Sequence, residues 1–174
     1  MANQIPEKLI DFRAYLDGTD LLGMVDATLP KLEFETEELR GAGIAGTFDG
    51  PVLGHLKSMN TEINFRTTTD SVMKLAAPKY HHITLYGALQ FHDAGGGELM
   101  SKELKVVLRG LPKNPDMGKL DSGKLMEVKH TLEIGYLKIF FDKAERIEVD
   151  KFNYIYTVDG VDYLAEVRAN LGLG

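Results

Sequence analysis

The chain has 174 residues, no cysteine and a formal charge of −6, with 44% apolar and 26% charged residues. This composition fits one globular domain, here expected to span 1–174, and excludes a disulfide framework, thiolate metal centres and the basic footprint needed to grip nucleic acid. No apolar run approaches a membrane span, and the early acids of MANQIPEKLIDFRAYLDG are unlike a signal peptide; the lack of cysteine suits folding in cytoplasm.

Alternation of period two dominates and predicts a mainly β, antiparallel chain (α+β by its few helices). DFRAYLDGTDLLGMVDATL reads as a hairpin turning at Asp17-Gly18. KLEFETEEL puts Leu32, Phe34 and Thr36 on one face and Glu33, Glu35 and Glu37 on the other. MNTEINFR repeats the pattern, with Met59, Thr61, Ile63 and Phe65 against Asn60, Glu62, Asn64 and Arg66. These two strands are expected to pair as an extended hairpin, joined by a glycine-rich loop at about 39–58.

HHITLYGALQFH predicts a strand with Ile83, Leu85, Leu89 and Phe91 inward, and LKVVLRG another. KLMEVKHTLEIGYLKIFFD is the longest. Its apolar residues hold even positions from Met126 to Ile134 and odd ones from Leu137 to Phe141, which requires a bulge near Gly135. ERIEVD pairs back on it. Two short amphipathic helices flank the β structure. TTDSVMKLAAP starts at the cap residues Thr69 and Asp70 and ends at Pro78. DGVDYLAEVRANLGLG starts near Asp159, with Val161, Leu164, Val167 and Leu171 on one side and Gly172 as a left-handed C-cap.

Few residues carry chemistry. Gly41, Gly43 and Gly46 have the GxGxxG spacing of a dinucleotide-binding turn, which needs a helix next. Gly50, Pro51 and Gly54 deny it one. Ser71 and Lys74 match SxxK, but the companion SDN and KTG motifs are absent, so Ser71 belongs to a helix start and Lys74 to solvent. His55, His81, His82, His92 and His130 fall in no ligand spacing, and adjacent His81 and His82 point to opposite faces of a strand. Solvated or edge-strand histidines are expected, with no metal and no cofactor. The acids are more informative: Glu33, Glu35, Glu37 and Glu62 line strand faces, as do Glu127 and Glu133 with Lys129 and Thr131 between them. A solvated sheet face accounts for them, and so does the wall of a channel.

Four stretches in chain order, TLPKL, TEELRGAGI, LRGLPK with the following GKLDSGK, and DGVDYLAEVRANLGL, together resemble the major tail tube proteins of contractile-tailed bacteriophages and of R-type bacteriocins. Leu120 in GKLDSGK and the stretch APKYHH depart from the pattern. The resemblance implies a non-enzymatic structural subunit: an antiparallel β-barrel or sandwich with a flanking helix, six copies to a ring, and rings stacked into a hollow tube. Neighbouring sheets would join around the lumen, and a sheath would surround the tube. A baseplate initiator and a tape measure protein would be further partners. Double-stranded DNA would pass without specific binding in a phage; in a bacteriocin the tube would enter the target envelope. Such a particle assembles in the bacterial host cytoplasm, without a membrane anchor.

In that setting the loop residues Arg40, Gly41, Gly43, Ile44, Gly46, Phe48 and Gly50 are expected to contact the next ring and to become ordered there. Asn60, Glu62, Asn64, Arg66, Lys129, Thr131 and Glu133 are expected to face the lumen with Glu33, Glu35, Glu37 and Glu127, coating it with negative charge. The rival reading is a monomeric β-barrel enclosing a small ligand.

Overall fold

Alternating segments become strands where one face finds a core, and β9 (Val128–Phe141) shows how this chain makes two layers from one such strand. The computed structural model describes residues 4–41 and 43–173; residues 1–3, 42 and 174 of the expected domain lie outside the described residues. In chain order come β1 (Gln4–Leu16), β2 (Asp20–Leu21), β3 (Val25–Thr28), β4 (Phe34–Leu39), β5 (Phe48–Leu56), β6 (Asn60–Phe65), α1 (Asp70–Lys74), β7 (His81–Asp93) and β8 (Leu99–Asp116). After β9 follow β10 (Ala144–Asp150), β11 (Ile155–Val158), β12 (Val161–Asp162) and α2 (Ala165–Asn170). The main sheet runs β12-β11-β10-β9-β8-β7-β1-β2, with β6 also on β9 and β3 on β6, all antiparallel; β4 and β5 form a separate ladder.

Gly135 is the extra residue on β9, between the pairs Ile134–Gly110 and Tyr136–Arg109. Before it, Val128–Glu133 pairs with β6; after it, Tyr136–Phe141 pairs with β10. The bulge inverts the facing, so Val128, His130, Leu132 and Ile134 are buried on one side of it and Leu137 on the other. One strand thereby serves two parts of a sandwich-like fold. The core gathers Ala14, Leu16, Ile83, Leu85, Val106 and Leu108 from β1, β7 and β8 against Met59, Ile63, Phe65, Val128 and Leu132 near or on β6 and β9. Each large buried side chain there contributes about 1.5–3 kcal/mol. The sheet stays open: among the described residues its end strands, β12 and β2, do not pair, so no barrel closes.

The helices are shorter than expected. The Thr69 hydroxyl accepts the Val72 N–H at 3.3 Å and caps α1, which ends at Lys74 rather than at Pro78. The C-terminal helix begins at Ala165, not near Asp159, because Asp159-Gly160 (φ 48° and 81°) is a tight hairpin turn that places Val161 opposite Val158 in β12. Gly172 does adopt the left-handed conformation, φ 70°.

The larger correction concerns the acidic strand. Residues 34–39 pair with 48–56, inside the segment expected to be loop, and β6 pairs instead with β3 and β9. The turn itself shrinks to 40–47. Leu39 and Phe48 make this possible by forming a cross-strand pair, which gives the glycine-rich stretch a β ladder to join.

Candidate functional site

The β4–β5 ladder is an arm built outside the core. From Glu35 to Leu53 every described residue except Gly50 is exposed, including Leu39 (47%), Ile44 (45%), Phe48 (55%) and Leu53 (59%). Gly41, Gly43 and Gly46 form its turn; no helix follows them, so the nucleotide fingerprint has no binding geometry here. Arg40 at the turn is held by Glu38 at 2.6 Å.

The base of the arm is fastened. Lys57 N–H donates to the Glu33 carbonyl at 2.8 Å, the two side chains form an ion pair at 2.5 Å, and Phe34 packs edge-on against Tyr156 at 5.5 Å. The Lys57 ammonium, by hydrogen bond and charge, holds the Glu33 carboxyl below its usual range. Gly54, at φ 73°, lets the arm pass close to Leu164, just ahead of α2, since a Cβ there would run into the Leu164 side chain. The C-terminal motif supplies this seat. Asp162 accepts the Leu164 N–H at 3.0 Å and an Arg168 N–H at 2.6 Å, while Arg168 also donates to the Tyr154 carbonyl at 2.7 Å. The Arg168 guanidinium lowers the Asp162 pKa.

A second surface is the wet face of β3, β6, the first half of β9 and the last turnless stretch of β8. Register aligns Asp26, Asn64 and Lys129 with Asp116, Thr28, Glu62 and Thr131 with Asn114, and Asn60 and Glu133 with Leu111. The alternation expected for β6 and β9 holds here: Asn60, Glu62, Asn64, Lys129, Thr131 and Glu133 are half-buried on this face, while Thr61, Ile63 and Phe65 are buried behind it. Glu33, Glu35 and Glu37 do not join them, because they lie at the base of the arm or on it. Glu127 precedes β9 with φ 54°, in the loop.

Nor is this face uniformly acidic. Glu62 pairs with Lys129 at 2.8 Å, Asp26 with Arg66 at 2.5 Å, and Glu133 with Lys113 at 3.4 Å. Burial raises the Glu133 pKa, but hydrogen bonds from Ser58, Lys113 and the Met59 N–H outweigh it and leave the carboxylate below its usual range. Exposed ion pairs like these add little stability. Their effect is on charge: each cation facing outward is matched by an acid.

Among the described residues both margins of the wet face are open: β3 pairs only with β6, and β8 beyond Gly110 pairs only with β9, because the β7 register stops at His81–Gly110. Unpaired strand edges invite another strand. Sequence reasoning missed these edges, since edge status depends on which strands pair and not on local pattern.

The remaining candidates carry no reaction. Lys74 pairs with Asp20 at 3.1 Å rather than meeting Ser71. His81 and His130 are buried in central strands, not solvated or on an edge as expected; His130 packs edge-on against Phe65, and His81 Nε2 lies 3.0 Å from the Ala77 carbonyl oxygen. Among the described residues no group of three or more His, Cys, Asp or Glu could hold a metal ion. The apolar groove between Leu9, Phe12, Leu29 and Leu85 measures about 100 Å³; the larger hollows, about 420 Å³ beside Asp11, Arg13 and Arg66 and about 340 Å³ beside Lys31, Glu33 and Glu62, are lined by charged side chains, unlike the mostly apolar pockets of small-molecule sites, and the described strands close no barrel.

Comparison with known proteins gives the family. Residues 6–172 match the family described as phage tail tube protein FII. The chain is 31% identical over 172 residues to the tail tube protein of Escherichia phage P2, covering 97% of this chain and 99% of that one. It is 28% identical to the major tail tube protein of Serratia phage KSP20, covering 98% of each. Its fold resembles a chain in the extended sheath/tube terminator of an extracellular contractile injection system, PVC, with a TM-score of 0.53 and 17% identity over 80% of this chain and 99% of that one. The relatives are structural tail proteins and not enzymes, and this chain belongs to the phage tail tube protein FII family.

Proposed function

We propose that the chain polymerises as rings of six, stacked into a hollow tube whose lumen is walled by the β3–β6–β9–β8 face. The observation that carries this reading is the pair of open backbone edges flanking a wet four-stranded face. Strand directions alternate across the four, so the 111–116 edge of one copy and the β3 edge of the next run antiparallel and can continue one ladder around the axis. A heterologous contact of this kind closes into a ring when its rotation divides a full turn, and a second contact along the axis stacks the rings. Pro112 and Pro115 remove two donors from the 111–116 strand, which restricts pairing there to a short stretch.

The lumen-facing set in this reading is Asn60, Glu62, Asn64, Arg66, Lys129, Thr131 and Glu133. Its balanced charge replaces the anionic coat expected from sequence. Cations already matched by acids offer phosphates little counterion-release gain, so DNA passes without adhering. The same neutral wall suits a bacteriocin tube that carries no genome. The inter-ring contact is the arm, with Arg40, Gly41, Gly43, Ile44, Gly46, Phe48 and Gly50 near its tip. Since 48–56 is already laddered, ordering on assembly concerns mainly 40–47, and costs about 1–2 kcal/mol per residue fixed. A surrounding sheath, a baseplate and a tape measure protein are the partners this reading adds.

Negative-stain microscopy of the purified protein over a range of concentrations tests it. Rings or tubes are expected; a lone compact particle throughout, including in material seeded with tail particles, would sink the proposal.

A further inference from the structure

One face of the arm carries acids beside exposed apolar groups. Glu37 stands opposite Gly50 and Leu39 opposite Phe48. A Cβ on Gly50 would meet Leu39 Cδ1 and Phe48 Cε1, each at 3.3 Å, so both side chains lean over that glycine. Glu35 lies two residues before Glu37, at the register shift between Phe34 and Thr36. Glu33 and Glu38 have cation partners, but Glu35 and Glu37 take part in no ion pair among the described residues.

The sheet face turned away from the wet wall carries the opposite character. Register sets Arg13, Tyr86, Lys105 and Phe140 in one row across β1, β7, β8 and β9, and Arg109 beside Tyr136 in another. The Lys105 ammonium lies 5.4 Å from the ring centroids of both Tyr86 and Phe140, and the Arg109 guanidinium lies 4.5 Å from that of Tyr136. Arg13, Lys105 and Arg109 join no ion pair among the described residues, whereas neighbouring Lys138 is held by Glu145 and Glu148. Asp11 and Glu103 bound the patch on one side. In a chain of net charge −6, uncommitted cations poised over half-buried rings form a surface that favours carboxylates accompanied by apolar side chains.

We propose that the arm of one copy lies across this cation–aromatic face of a second copy, Glu35 and Glu37 meeting Lys105 and Arg109 while Leu39 and Phe48 cover the exposed rings. The inference rests on the tube reading and names the surface that receives the arm. Donor and acceptor surfaces differ, so the contact is head to tail and can propagate without limit.

The absence of cysteine makes a direct test clean. Chains carrying Glu37→Cys and chains carrying Lys105→Cys are mixed, allowed to form tubes, and oxidised. A disulfide between the two kinds of chain is expected, at a yield far above that of either kind alone. In parallel, Lys105→Glu/Arg109→Glu and Glu35→Lys/Glu37→Lys should each raise the concentration needed for assembly by about tenfold or more. Their combination in one chain should restore it, and monomer melting temperatures should match wild type in all three. Wild-type tubes accompanied by no cross-link, or by undiminished assembly of Lys105→Glu/Arg109→Glu, overturn this contact and leave the face to another partner such as an enclosing sheath. Wild-type protein that forms no tube at all overturns the tube reading itself.

Discussion

The arm and the β8–β9 hairpin are both antiparallel ladders with apolar residues spaced along them, yet they differ in what lies behind. Along β9 the apolar positions vanish into the core, with Leu132 fully buried and Ile134 and Leu137 at 1% exposure. Along the arm Leu39, Phe48 and Leu53 keep about half of their surface in water. A two-stranded hairpin without a packed face is marginal in water, and exposed apolar groups held in one place mark an interaction surface. Apolar spacing alone therefore does not say which positions a single chain buries.

The sharpest way to break this comparison is to remove the arm. Replacing residues 35–53 with a two-residue turn should abolish tube formation by microscopy and sedimentation, while the monomer melts within about 3 °C of wild type. A monomer that unfolds without the arm would show that the arm belongs to the core after all. Single side chains ask the same question in smaller steps. Phe65→Ala empties a fully buried site and should cost about 3–5 kcal/mol, lowering the melting temperature by roughly 10 °C. Phe48→Ala should change monomer stability by no more than about 0.5 kcal/mol. Equal losses for the two would erase the distinction between body and arm.

A middle-sized effect tests the strand that builds the body. Gly110 faces the bulge, and a Cβ there would lie 2.6 Å from the Glu133 carbonyl oxygen and 2.7 Å from Ile134 Cδ1. Backbone cannot yield as a side-chain tip can. Gly110→Ala should cost about 2 kcal/mol by denaturant titration of the monomer. A neutral result would mean that β8 and β9 can slide past one another at Gly135.

The bulge itself was legible, because the switch from even to odd apolar positions between Ile134 and Leu137 has no other economical cause. Strand alternation in MNTEINFR and HHITLYGALQFH was legible for the same reason, as was the Asp17-Gly18 turn. Partner choice was not. Glu33, Glu35 and Glu37 alternate as well as Asn60, Glu62 and Asn64 do, and nothing local says that the first set pairs with a glycine-rich strand while the second pairs with β3 and β9. Helix periodicity also misled at Val161, where Asp159-Gly160 turned the chain into β12 first. Of the candidate surfaces, the polar side of β6 and β9 could be read residue by residue. The matching cation Lys113, the pairing of Arg66 with Asp26 and the open edges required the fold.

A small, pH-dependent effect concerns His130 and should belong to the body alone. Its side chain is buried against Phe65, at 5.7 Å between ring centroids, and neither ring nitrogen has a hydrogen-bond partner among the described residues. Burial lowers its pKa, Asp116 acts against that, and His81 adds to it. The folded protein thus keeps His130 neutral at pH values where the unfolded chain, titrating near 6.5, already binds the proton. The sign follows: the contribution is fully present above about pH 6.5 and is lost progressively as pH falls below it, amounting to under about 1 kcal/mol at pH 6. The lowered carboxylates Glu133, Glu148 and Asp162 act in the same direction, but only as pH falls through and below the ordinary values of 4.5 and 3.8. Monomer melting followed from pH 7.5 to 5.5 should therefore decline with pH in the wild type and in the armless chain alike. It should lie flatter in His130→Leu, which removes the titrating ring from the core. A decline that survives His130→Leu undiminished would assign the acid sensitivity to another group.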